Sequence, residues 1–574
     1  MDKTLDAGRR HALRLLGGIT LAGLGGCCSL RPFPSNKIGG DPPAADSIIP
    51  FLRPRLTASP SKPTKYCLDV HAHFFNASDV NVKGYVEESI AHGNSSPALR
   101  EFVKLLAPLV DDLAGLAPQA KDEFDFVSRQ MAATEFQSFE EGAHVLDALA
   151  DQHRRMVAKE IFSEMKKRGL DSRFIELLQR HRSQTMHTEA LLTPIDFTED
   201  TVLDAIDPAK RLERHLNLFG TFEPPADAAE AGGALEFAGH MLSYRWMNLR
   251  TYQQFYTEAE DAFGIDGVFS ALVDFDYWLD CPARSSREDQ VKLHSLLSML
   301  SGGYMLPLVS YNPWTDIKRN GESLRLVQKA IMEYGFIGVK IYPPMGYYPF
   351  GNEKLHNSSN LPRPNLHDLD DRLEALFSWC AAQGVPVMAH TGESMGRDDP
   401  SDEFGGPDGW AALFKRFDGA MPPIVQAGHY GGDKQKEGNT RNWSAEFAVL
   451  ADSSGGAGFY GDLGYWDSLL WCDQEHPECT TAKERLKAAL KAGKHTEDRI
   501  MYGTDWFMIS VLADWGHYPQ RLVKNLEGIL PLDKLFYTNA INCYGLGKGG
   551  VQRNRIVKHL EKVKGGLPTW LRDA

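Results

Sequence analysis

Cysteine is scarce in this 574-residue chain: there are eight, too few and too scattered for a disulfide framework. Cys472 and Cys479, with six residues between them, are spaced either for one local bridge or for two unpaired loop thiols, and His476 beside them is a weak metal hint. Cys67, Cys281, Cys380 and Cys543 lie in apolar contexts and read as core. Positive charge is also short. With 62 Lys and Arg against 76 Asp and Glu, the formal charge is −14, and no basic cluster stands out beyond the first residues, which argues against nucleic acid as a partner. The small and apolar stretch Leu15 to Gly26 is too short to span a bilayer.

What is there begins with a 43% hydrophobic content, enough to bury a large core over more than one unit. At the amino end, Gly8-Arg9-Arg10-His11-Ala12-Leu13-Arg14 approximates a twin-arginine export signal. Leu24-Gly25-Gly26-Cys27 then resembles a lipoprotein cleavage box in which Cys27 is lipidated. Residues 1–26 are therefore expected to be a signal peptide. Residues 27–65, with the Pro- and Ser-rich run from Pro32 to Lys65, are expected to be a flexible tether outside the cytoplasm, periplasmic or at the outer membrane. The membrane would be met only through the lipid.

The chemistry-bearing residues lie further on. In Tyr66-Cys67-Leu68-Asp69-Val70-His71-Ala72-His73, strand alternation puts Asp69, His71 and His73 on one face. Val385 to Ala389 runs into His390, Pro423 to Gly428 into His429, and Arg499 to Thr504 into Asp505. Each is a short apolar run with a polar tip, the pattern of a buried strand. In a barrel of parallel strands every carboxyl end lies on one rim, so such tips converge. Imidazoles and a carboxylate suit a divalent ion, zinc first, with manganese or iron as alternatives.

The order His-x-His, His, His, Asp on successive strand ends resembles the metal-dependent amidohydrolase superfamily, nearest to its branch that also holds decarboxylases. Gly335-Phe336-Ile337-Gly338-Val339-Lys340, Tyr502-Gly503-Thr504-Asp505-Trp506 and Asn539-Ala540 before Tyr544-Gly545-Leu546 share the wording. The resemblance covers residues 66–78 and about 265–546. It implies His71, His73, His390 and Asp505 as metal ligands, with Asp505 also the general base. His429 would polarise substrate or shuttle a proton in a one-metal centre, the preferred reading, or bind a second ion. Lys340, on an expected fourth strand from Phe336 to Tyr342, would bridge two ions as a carbamate or, as preferred, make a charged contact to substrate.

The expected fold is α/β, a TIM-like (β/α)8 barrel over residues 66–79 and 265–550, with a mainly helical insertion over 80–264 and a helical tail over 551–574. Helices are expected at Pro97 to Ala117 and Phe139 to Arg168. Ala190 to Phe197 competes with the preferred Val268 to Phe275 for the second strand, and Met305 to Tyr311 reads as the third. The insertion follows the strand bearing His71 and His73, so it emerges on the catalytic rim and is placed to act as a lid. Near its end Arg245 and Arg250 mix with aromatic residues and are candidates for an anionic, ring-bearing substrate. Asn312, Trp314 and Tyr342, after the third and fourth strands, are further pocket candidates. These readings converge on hydrolysis of an amide, ester, lactone or related bond in a small molecule. The alternatives are decarboxylation of an aromatic or unsaturated acid on the same site, or a lipid-anchored binding protein on an inactive barrel. The sequence leaves self-association open.

Overall fold

The computed structural model describes residues 48–55, 62–80, 108–132, 139–170, 172, 197–207, 226–259, 262–276, 282–354, 366–392, 403–434, 441–470, 472, 477–512 and 515–574. The expected signal peptide and Cys27 lie outside them.

Eight parallel strands stand in a sheet whose spatial order is their order in the chain. They are β1 (Leu68–Ala72), β2 (Gly267–Ala271), β3 (Met305–Ser310), β4 (Gly338–Ile341), β5 (Val387–His390), β6 (Val425–Gly428), β7 (Phe459–Asp462) and β8 (Ile500–Met501). Their composition explains the arrangement: almost every strand residue is buried, as parallel strands covered on both faces require. Beyond β8 the backbone closes the seam to β1. Val70 N–H donates to Tyr502 O over 3.0 Å, Asp505 N–H donates to His71 O over 2.7 Å, and Ala72 bridges Trp506. The protein is a (β/α)8 barrel.

Helices return the chain between strands. Glu322–Glu333 is typical: Val327, Ala330 and Ile331, at helical spacing, are its buried face. The turn back into β4 uses Gly335 at φ 73°, where a Cβ would lie 2.2 Å from the His559 ring, so only glycine fits. The second strand falls where the Val268 reading puts it. Of the competing run, Ala190 to Asp196 lies outside the described residues, and Phe197 is not in a strand. The expected helix from Pro97 lies outside them up to residue 107, while residues 108–113 are helical.

Between β1 and β2 run the helices Ala120–Ala132, Phe139–Lys167, Glu199–Ile206, Ala226–Met241 and Arg245–Gln253. Ala226–Met241 lies directly on the segment after Asp505: a Cβ on Gly233 would stand 2.2 Å from Val511 O. The Phe237 ring is 5.3 Å from that of Phe507, and His240 is 5.0 Å from Trp506. Among the described residues no helix is long and apolar enough to cross a membrane.

Part of the expected tether is not free. Ile48, Phe51 and Leu52 are buried, Ile48 pairs with Val563, and Leu52 N–H donates to Leu300 O over 2.9 Å. The apolar run Ile48-Ile49-Pro50-Phe51-Leu52 gains more from burial than a Pro- and Ser-rich context suggests. The tail, with helices Val551–Leu560 and Thr569–Asp573, packs near the amino ends of β1 and β2, where Trp570 abuts Gly267 and Tyr66 donates to Asp573 over 2.5 Å.

Candidate metal centre

The carboxyl ends of β1 and the Tyr502–Trp506 segment bring His71, His73 and Asp505 together, all buried, with their ligand atoms within 4.8 Å of one another. Asp505 Oδ1 lies 3.3 Å from His71 Nε2 and 3.1 Å from His73 Nε2. Each ring is aimed by its other nitrogen. His73 Nδ1–H donates to Ala271 O over 2.8 Å, and His71 Nδ1–H donates to Asp462 Oδ1 over 3.0 Å. Both Nε2 atoms therefore face one carboxylate oxygen. Such a set of electron-pair donors is held together only by a proton or a cation between them.

Lys340, from β4, puts Nζ 3.5 Å from His71 Nε2. The two remaining imidazoles form the far wall. His429 Nδ1–H donates to Gly464 O over 2.8 Å, which turns its Nε2 to within 3.1 Å of His390 Nδ1. The other nitrogen of His390 is buried without a hydrogen-bond partner. The His429 ring lies 4.4 Å from that of His390 and 4.8 Å from that of His71. Non-glycine residues in the left-handed region gather here: His429 (φ 68°), Tyr430 (φ 41°) and Asp505 (φ 59°), a strain that the surrounding bonds must support.

The protonation of the site follows from its dryness. Burial pulls the His71 imidazole down to about 4, against the pull of Asp462, and lowers the Lys340 ammonium to about 8. Burial followed by the nearby His429 pushes His390 well below the ordinary imidazole range. For Asp505 burial would raise the carboxyl, but His71 and the hydrogen bond with His73 outweigh it and hold it at about 2. His71 and His390 thus stand as neutral imidazoles beside an ionised carboxylate. Nitrogen and oxygen donors of this kind fit a divalent first-row ion.

Of the pocket candidates, Tyr342 stands at the site, its ring 4.6 Å from His390 and 4.9 Å from Phe275. Asn312 is a helix cap, its Oδ1 accepting from Trp314 N and Thr315 N while its amide donates to Asp274. Trp314 is buried in the core. The expectation for the two arginines is corrected. Arg245 spends its guanidinium on Asp79, Glu123, Pro118 O, Ser78 and Ser285, and Arg250 forks onto Glu258, so neither is placed for substrate. Asp79 and Glu123 are buried with Arg245, while Glu258 is only partly buried beside Arg250.

Residues 322–546 match the family model described as Amidohydrolase. The match is less than half of the chain and takes in Lys340, His390, His429 and Asp505, but not the strand that carries His71 and His73. No curated protein matches the chain significantly. Among solved structures, an amidohydrolase from Burkholderia multivorans is 13% identical, with 49% of this chain and 83% of that one covered and a TM-score of 0.33. A probable 2-pyrone-4,6-dicarboxylic acid hydrolase from Acinetobacter baumannii is 10% identical, covers 49% and 84%, and scores 0.30. An uncharacterised TIM-barrel protein from Bordetella bronchiseptica is 14% identical, covers 62% and 92%, and scores 0.34.

Sequence reasoning missed Asp69 as a buried junction and Asp462 altogether. Asp462 ends the run Phe459-Tyr460-Gly461, and a strand is needed between those that end at His429 and Asp505; that gap was the available signal.

Proposed function

We propose that this chain is a metal-dependent hydrolase of the amidohydrolase superfamily, cleaving an amide, ester, lactone or related bond of a small molecule. The observation that carries the reading is the meeting of His71 Nε2, His73 Nε2 and Asp505 Oδ1. These three would hold one ion, zinc first and manganese or iron next, with His390 as fourth ligand. When bound, such an ion polarises water and the substrate carbonyl.

The chain's own groups supply the rest. Asp505, ionised at working pH, accepts the proton of the attacking water and returns it to the leaving group. His429, its ring aimed by Gly464 O and its Nε2 3.1 Å from His390 Nδ1, stands beside the fourth ligand as the group that relays a proton. Lys340 brings positive charge to where an oxyanion develops. Tyr342 on one side and Phe75, whose ring lies 6.0 Å from His73, on the other present apolar walls that exclude water.

We propose separately, from the stretches 8–14 and 24–27, that the chain is an exported lipoprotein anchored at Cys27. The bridge between Cys472 and Cys479 supports it, since structural disulfides persist in oxidising compartments. The test is a panel of amides, esters and lactones, run beside carbon dioxide release from aromatic acids. Hydrolysis that requires added zinc or manganese is expected. Carbon dioxide release without hydrolysis would assign the centre to decarboxylation.

A further inference from the structure

His71 and Asp462 form a wholly buried pair between the ends of β1 and β7. The Asp462 carboxylate is saturated with donors. Its Oδ1 accepts His71 Nδ1–H at 3.0 Å, Gly464 N–H at 2.9 Å and His429 N–H at 3.2 Å. Its Oδ2 accepts the Gln426 amide at 2.6 Å, and Tyr544 in turn donates its hydroxyl to Gln426.

Three glycines from neighbouring strand ends enclose the pair. A Cβ on Gly464 would stand 2.9 Å from both Asp462 Oδ1 and His71 Nδ1. On Gly503 it would stand 2.7 Å from His71 Cβ and 3.1 Å from Asp462 Oδ1, and on Gly428 3.0 Å from His71 Cε1. A side chain at Gly464 or Gly503 would collide with this pair, and one at Gly428 would press on the His71 ring.

We propose that Asp462 is the positioning residue of the metal centre. One carboxylate fixes the tautomer and direction of His71 and also the backbone of His429, so that a ligand and the proton-transfer imidazole keep a set separation. An acceptor-only group is needed. A carboxylate admits no proton arrangement except Nδ1–H on His71, which leaves Nε2 bare for an ion. An amide in its place would set its NH2 either against the Gln426 NH2 or against the three N–H donors around Oδ1.

This inference rests on the metal-centre reading, and its test separates the two. Zinc affinity is measured by competition with a chromophoric chelator for the full chain and for Asp462→Asn, Gly464→Ala and Tyr544→Phe, alongside thermal melting of each chelator-stripped protein. Asp462→Asn is expected to bind zinc about 10- to 100-fold more weakly. Gly464→Ala, which removes no polar group, should weaken zinc in the same direction, and Tyr544→Phe less so. A purely structural role would lower the stripped protein's melting temperature without changing zinc affinity in the variants that remain folded. Folded Asp462→Asn and Gly464→Ala proteins that hold zinc within about twofold of the unsubstituted chain would overturn the proposal. If Asp462→Asn does not fold, Gly464→Ala and Tyr544→Phe decide by the same criterion. An unsubstituted chain that takes up no zinc overturns the metal-centre reading itself, and this inference with it.

Discussion

Tyr252 donates its hydroxyl to Asp69 Oδ2 over 2.7 Å, and through that bond the inserted segment reaches beneath the strand that carries His71. Asp69 also takes the His71 amide at 3.0 Å, the Thr504 amide at 3.1 Å and the Thr504 hydroxyl at 2.6 Å. One buried carboxylate thus ties the insertion, β1 and the approach to Asp505 into a single unit. Tyr252→Phe leaves that carboxylate one donor short. It should cost about 1–3 kcal/mol in urea unfolding, with helix content unchanged by circular dichroism. An unfolding midpoint equal to that of the parent would show that the bond carries no load.

Arg245 should matter for stability and not for substrate affinity. It is buried between Asp79, at 2.6 Å, and Glu123, at 2.8 Å. Arg245→Met strands two buried carboxylates and should destabilise by about 3–5 kcal/mol. Arg245→Lys should recover only part of that, because one ammonium cannot reproduce the fork of bonds. A raised KM with unchanged melting would instead return Arg245 to the substrate site.

Acid should weaken the fold through buried imidazoles outside the candidate ligand set. Burial holds His153, His294 and His559 each at about 4. In the unfolded chain they titrate near 6.5, so below that pH the unfolded state takes up protons that the folded state refuses. The stability these groups contribute is therefore present above about pH 6.5 and is lost as pH falls toward 4, up to about 3 kcal/mol for each. Urea unfolding of chelator-stripped protein at pH 7 and pH 5 measures the fall, and His559→Gln should make it shallower. Equal stability at the two pH values would contradict this account.

The barrel and its polar rim were legible because parallel strands are short, nearly continuous apolar runs, and His71, His390, His429 and Asp505 each punctuate one. What the sequence concealed was set by partners distant along the chain. Arg245 pairs with residues 166 and 122 positions away, so its aromatic neighbours suggested a binding surface where an ion network stands. The last strand was expected through Thr504 but stops at Met501, because Thr504 turns its amide and hydroxyl to Asp69, 435 positions earlier. Asp462 was hidden by Gly461 and the half-buried Tyr460, which make a weak strand signal.

Metal content tests the central claim most directly. The chain is incubated with zinc, freed of loose ions and measured by elemental analysis, together with His71→Ala and Lys340→Ala. About one ion per chain is expected for the parent and for Lys340→Ala, and close to none for His71→Ala. Fewer than about one ion in ten parent chains, or the same content in His71→Ala, would contradict a metal held by His71, His73 and Asp505.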